Sequence, residues 1–164
     1  MKILPLLLVF LVAGLARAQS GPALGHIREE LKSLRSIEGV AVGFAGIPGR
    51  FYLLYPYCVT YGEEVTLLDF LKDENAIVAV MGALCLIDKF PEKREEVMQR
   101  MKRDERSVAV FAGGCMGESM AVKALFEKIA ADADFVVPMR FRKNPPPRPP
   151  EAAPKTAPPP VRRL

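Results

Sequence analysis

The sequence predicts an all-α protein, a short array of α-α units with a disordered proline-rich C-terminal tail. Three observations carry that expectation. Apolar residues recur at three- and four-residue spacing from Leu24 to Ile129, which places them on one face of successive helices. The stretches Leu67–Gly82 and Met98–Gly113 align at a constant offset of 31 residues, and a period of that size marks stacked structural units. The final segment, KNPPPRPPEAAPKTAPPPVRRL, holds nine of the fifteen prolines and no aromatic residue, so it cannot bury a core.

From the N-terminus, Lys2 supplies a positive n-region, Ile3 to Leu15 an apolar stretch, and Ala16-Arg17-Ala18 a small-x-small cleavage site. Residues 1–18 therefore read as a signal peptide, and the expected location is periplasmic or secreted. The apolar stretch falls short of the roughly 20 residues a membrane-spanning helix needs, so no stable transmembrane anchor is expected. Residues 19–142 read as the folded, helical repeat-like domain and 143–164 as the tail.

The domain opens on GPALGHIREELKSLRSIEG, where Leu24, Ile27, Leu31 and Leu34 form a stripe and Gly39 suits the position after the helix. His26, Arg28, Glu29, Glu30 and Lys32 fall on the side facing water. His26 is the only histidine, and a solitary solvated histidine is ordinarily no ligand. VAVGFAGIPGR follows, with glycines at 43, 46 and 49 but without the Lys-Ser/Thr pair of a phosphate-binding loop, and reads as a flexible connector. RFYLLYPYCVTYG carries all four tyrosines, Tyr52, Tyr55, Tyr57 and Tyr61, on a helix that Pro56 should bend. Buried, they are core; exposed, they are the candidate binding residues, because tyrosine offers a large contact area at low entropic cost.

In the 31-residue alignment Asp73 meets Asp104, Glu74 meets Glu105, Ile77 meets Val108 and Gly82 meets Gly113. Each unit reads as an amphipathic helix, a polar Asp-Glu turn and a more apolar second helix, with the Asp capping the second helix. FLKDENAIVAVMGALCLIDKF resembles a HEAT-type helical repeat, in which a first helix ends in Leu-Lys-Asp and a Val-x-x-x-Ala helix packs behind it. MKRDERSVAVFAGG is similar but breaks early into Gly113-Gly114, and Ala79 and Val110 stand where that family has an arginine. The resemblance spans Phe51 to Ala131. It implies a surface for binding another protein, with no shared chemistry and no cofactor.

SVAVFAGGCMGES also has the strand, Gly-x-Cys-x-Gly, helix order of a nucleophile elbow, resembling the cysteine hydrolases and amidotransferases of the α/β type. On that alternative reading Cys115 is the nucleophile of a small hydrolase or acyltransferase, activated by a helix N-terminus. Such enzymes place a histidine after the nucleophile, and none follows Cys115 here. The structural reading is preferred: VAVFAGG is a second repeat helix, and Glu118 to Ala131 is a helix turning back. Cys58, Cys85 and Cys115 fall in apolar segments. Export permits a disulfide, with Cys85 and Cys115 at nearly equivalent places on adjacent units, and no Cys/His spacing suggests a metal.

The charge is divided. The chain carries +4 overall, yet from Gln19 to Pro138 acidic residues outnumber basic ones, and the excess of positive charge lies in the tail. The folded part thus lacks the basic face a nucleic-acid partner requires. Arg140, Arg142, Lys143, Arg148, Lys155, Arg162 and Arg163 instead suit contact with an anionic envelope surface. Truncation after Arg142 should leave the melting temperature unchanged, since the tail buries almost nothing. Differential scanning calorimetry of the two chains checks this, and a drop of several degrees would mean that the tail docks.

Overall fold

The computed structural model describes residues 22–43, 45–132 and 135. Residues 1–18, read above as a signal peptide, and the tail, 143–164, lie outside these residues. Six α-helices and three strands follow in the order α1 (Pro22–Ser33), β1 (Ser36–Glu38), α2 (Arg50–Tyr61), α3 (Glu64–Leu71), α4 (Ala76–Lys89), a 3-10 turn (Pro91–Lys93), α5 (Arg94–Met101), β2 (Ser107–Phe111), β3 (Glu118–Ala121) and α6 (Val122–Ala131). The all-α repeat array is thereby corrected to a mixed fold, helices packed with a three-stranded sheet of order β1-β2-β3. β1 runs parallel to β2 and β3 antiparallel to it.

The centre of the molecule is α4. From Ile77 to Ile87 every residue is buried, so this helix has no solvent face. It packs against α1, α2, α3, α5 and β2. The neighbours are amphipathic and turn their stripes inward: Leu24, Ile27 and Leu31 from α1, Phe51, Tyr52, Leu54, Tyr55 and Cys58 from α2, and Leu67, Phe70 and Leu71 from α3. Gly82 permits a close approach of α3. A Cβ there would stand 2.7 Å from the Leu71 main-chain nitrogen and 2.7 Å from the Phe70 Cβ, which lets α3 lie directly on α4.

The 31-residue similarity is real at one place and ends there. Asp73 N donates to Phe70 O at 3.0 Å, and Asp104 N to Met101 O at 3.1 Å. Asp73 Oδ1 accepts from Asn75 N at 2.8 Å, and Asp104 Oδ1 from Arg106 N at 3.0 Å. Both units are thus a helix closed by the same Asx turn. They part at the next residue. Asn75 Oδ1 accepts from Ile77 N and Val78 N at 2.9 and 3.3 Å, capping α4, so the cap is Asn75 rather than Asp73. Arg106, its counterpart, has no acceptor to offer, and Ser-Val-Ala-Val-Phe continues as β2 with Val108 and Val110 buried in alternation.

Further expectations are corrected. Gly113-Gly114-Cys115-Met116-Gly117 is the connection of a β-hairpin, pairing Val110 with Glu118 and Ser107 with Ala121, rather than a break between helices. Glu118 to Ala121 is its return strand, and the last helix starts only at Val122. The first helix ends at Ser33, because Ile37, fully buried, is drawn into the sheet beside Val110. Helix α2 runs through Pro56 without interruption.

Replacing Gly82 with alanine forces α3 away from α4 and should destabilise the protein by about 1–3 kcal/mol, the usual cost of overpacking. Urea denaturation of the variant measures it. An unchanged midpoint would mean that the α3–α4 contact yields without cost.

Candidate functional site

β1 and β2 are parallel, so their C-terminal ends lie at the same edge of the sheet, where ligands and partners of mixed folds commonly sit. Both strands leave the sheet there into glycine-rich loops, 39–49 and 112–117. The loops are joined by main-chain bonds: Gly43 N donates to Gly114 O at 2.9 Å and Gly114 N to Ala41 O at 2.8 Å. Within the first loop Val42 N donates to Ile47 O at 2.8 Å, which closes a tight turn. Gly43, Gly46 and Gly114 have φ of 71, 59 and 73°, values open chiefly to glycine, so the sequence pattern serves the turn geometry. The expected flexible connector is instead a loop tied to its neighbour.

Two large apolar side chains stand out from this end. Ile47 is 63% exposed and Met116 88% exposed. Cys115 is exposed between them in sequence. Its chain neighbours Gly113, Gly114, Met116 and Gly117 carry no proton-transfer group, and the single histidine, His26, is exposed on α1, which packs on α2 and α4. The segment after Cys115 is β3, so no helix N-terminus faces the thiol from the next residues. A nucleophile elbow needs that helix, and the hairpin removes the geometric basis for one at Cys115.

The tyrosines divide. Tyr52 and Tyr55 are core residues, each 2% exposed, whereas Tyr57 and Tyr61 are half-buried on α2. The Tyr55 hydroxyl is buried without a hydrogen-bond partner among the described residues, so its ring is there for packing. The four rings make no common exposed surface.

A second polar cluster surrounds the start of α4. Asp73, buried in the α3–α4 turn, is paired with Arg28 of α1, whose Nε donates to Asp73 Oδ2 at 2.7 Å. Arg28 also stacks over the Phe70 ring at 5.7 Å, so it is tied to the core rather than solvated as the helical stripe suggested. Arg106 reaches the same turn from the far side: Nη1 donates to Asp73 O and Glu74 O, both at 2.8 Å, while Nε donates to both Asp104 carboxylate oxygens at 3.0 and 3.1 Å. Burial pushes the Asp73 carboxyl up, but the Asn75 N–H and the Arg28 guanidinium outweigh it and hold it below its ordinary value. Burial likewise raises Asp104, and its bonds with Arg106 reverse the sign. An open depression of about 540 Å³ beside this cluster is lined by Glu96, Gln99, Arg100, Arg103, Asp104 and Arg106. It mixes both charges, and Arg106 is already engaged, so the cluster is a structural clasp.

Among the described residues no three His, Cys, Asp or Glu side chains gather where they would hold a metal ion. No helix among them is long and apolar enough to cross a membrane. No protein-family model matches the chain, and no curated protein matches it in sequence. The sequence reading missed Ile47 and Met116. The signal was present in Gly-Ile-Pro-Gly and Cys-Met-Gly, where an apolar residue is set among turn formers that cannot bury it.

Asp73→Asn should destabilise the protein by about 1–3 kcal/mol at neutral pH, the range for breaking a buried charged hydrogen bond whose partner is partly exposed. Because the folded-state pKa is depressed, the contribution is complete above the unfolded carboxylate value of about 3.9 and is lost as pH falls through the folded value. Denaturation of wild type and variant across pH 2 to 7 should therefore show the gap closing only below about pH 4. A gap independent of pH would assign the loss to packing.

Proposed function

We propose that this protein is an exported binding or assembly module that contacts another protein through the loop-bearing end of its sheet. One observation carries the reading: Ile47 and Met116 are exposed on two loops that main-chain bonds hold in register. Apolar side chains on an ordered loop lose little conformational freedom on association, and such residues supply most of the binding energy of an interface. Leu53 of α2 and Val65 of α3 are exposed as well, each as a single side chain on its helix, whereas Ile47 and Met116 stand on two joined loops, so the contact surface is this loop pair rather than a helical-repeat surface. Export rests on the signal-like N-terminus, and the basic tail adds attraction to an anionic envelope surface.

The double variant Ile47→Glu, Met116→Glu tests the reading. Both positions are exposed, so the melting temperature should stay within about 2 °C, as for surface changes of less than about 0.5 kcal/mol. Photo-crosslinking from the two loops in cells that export the protein should give a discrete protein adduct. Retention of that protein should fall about tenfold or more in the double variant. Undiminished retention, or no adduct from either loop, would overturn the assignment of this surface.

A further inference from the structure

The two edges of the sheet are finished differently. Beyond β1 the chain folds back over its own edge: Gly49 N donates to Gly39 O at 2.9 Å, Arg50 N donates to Glu38 Oε2 at 3.0 Å, and α2 packs on the strand. β3, Glu118–Ala121, is the other edge. Gly39 N donates to Phe111 O, so the odd-numbered residues of β2 turn their main-chain groups to β1 and the even-numbered ones to β3. Val122 N, donating to Arg106 O, extends the register that pairs Ser107 with Ala121. Glu118 and Met120 are therefore the residues bonded to β2, and the N–H and C=O groups of Ser119 and Ala121 point away from the sheet. Among the described residues no main-chain bond reaches those outward groups. Ser119 is exposed and Ala121 half-buried.

We propose that this edge is a self-association site, where β3 of a second copy pairs antiparallel across a two-fold axis at Met120 and joins two three-stranded sheets into one of six strands. The register follows from which groups are free. With Met120 opposite Met120, Ser119 of each copy lies opposite Ala121 of the other, and their N–H and C=O groups make four bonds with none left over. A slip of one residue would set outward groups against groups already turned into the sheet.

The same register brings unlike charges together. β3 begins at Glu118 and runs into Lys123 two residues past its end, so antiparallel pairing places the acid of each copy beside the base of the other, twice. Within one chain Glu118 already pairs with Lys128, and Lys123 with Glu105. A carboxylate has two acceptor oxygens and an ammonium three donors, so the contacts between copies add to these pairs. Edges that are kept single carry lysine, proline or an inward charge, whereas the two outward positions here are serine and alanine. The pairing uses β3 and not Ile47, so it is independent of the partner proposed for the loop pair.

Four main-chain bonds and exposed charge pairs make a small contact, in the weak class below about 1,200 Å². Sedimentation equilibrium of the purified protein from about 10 µM to about 1 mM should therefore show monomer and dimer with a dissociation constant on the order of 100 µM. Over that range amide hydrogen exchange at Ser119 and Ala121 should slow about threefold or more with concentration, while Glu118 and Met120, bonded to β2 in either state, should not change. Ala121 has φ −68° and ψ 147°, a backbone that proline adopts, and its side chain makes no cap bond to α6, so Ala121→Pro removes the outward N–H alone. Its melting temperature should match wild type within about 2 °C, and its dissociation constant should rise about tenfold or more. If the variant melts early, the wild-type exchange pattern decides by itself. A wild type that stays monomeric at about 1 mM would overturn the proposal. So would slowing spread evenly over the four amides, or association that a folded Ala121→Pro leaves unchanged, which would assign it to the tail or the loops.

Discussion

Helix α4 is apolar on every side, and a helix of that kind has to be surrounded. Four helices, a strand and the 3-10 turn lie against it, and each is shaped by that duty. Surrounding the helix also removes water from its ends, where unpaired N–H and C=O groups would otherwise be hydrated. The polar residues at its N-terminus answer that need in sequence. Asn75 caps the free N–H groups of Ile77 and Val78, Asp73 holds the Asn75 N–H, and Arg28 neutralises Asp73. Arg106 takes the carbonyls of Asp73 and Glu74. At the other end Lys89 of α4 donates to the carbonyls of Thr60 and Gly62, closing α2 as it leaves the core. Charged side chains from distant parts of the chain thus gather at the termini of buried helices, where charge-assisted bonds replace solvent.

The sheet fills what the helices leave. Once α1 to α5 are packed, Ile37, Val108 and Val110 complete the core from the side, and strands deliver alternate residues inward with fewer positions than a helix would need. β2 lies between β1 and β3, and both its backbone edges are satisfied. The chain turns from β3 into α6 at Val122, whose N–H donates to Arg106 O at 2.8 Å, while Lys123 N donates to Asp104 O at 2.9 Å. The clasp that closes α4 therefore also starts α6.

Most helices are legible in the sequence because each presents one apolar stripe: Leu24, Ile27 and Leu31, or Leu125, Phe126 and Ile129, give the period directly. The similarity between Leu67–Gly82 and Met98–Gly113 was legible too, but what repeats is the Asx turn and not the unit around it. Whether an apolar run such as Ile-Val-Ala-Val or Ser-Val-Ala-Val continues as helix or strand is beyond its own composition. Asn75 caps one and Arg106 fails to cap the other, and that single difference, with Gly113-Gly114 beginning seven residues after Arg106, separates α4 from β2. Strand β1 escaped notice because three residues carry no period, and the pairing that defines them lies some 70 positions away at Ala109 to Phe111. The partner of Asp73 was hidden for the same reason. A charge on the polar side of α1 does not announce which turn it will meet.

β2 joins the two regions that differ most in character. Its first residue follows Arg106 in the clasp, and its last leads to Gly113 in the exposed loop pair, about 23 Å apart at roughly 3.3 Å per extended residue. At one end nearly every polar group is engaged and the acidic side chains are held ionised by their partners. At the other, glycines at positive φ shape the turns and large apolar side chains have nothing packed on them. A residue in the clasp is constrained by several elements at once, so its replacement acts on folding. The side chains of Ile47 and Met116 are constrained by almost nothing inside the molecule, while the backbone beneath them is fixed by Gly43, Gly114 and Val42. Their identity is thus the part of the structure that folding leaves unspecified, and the part free to be set by what the loops contact.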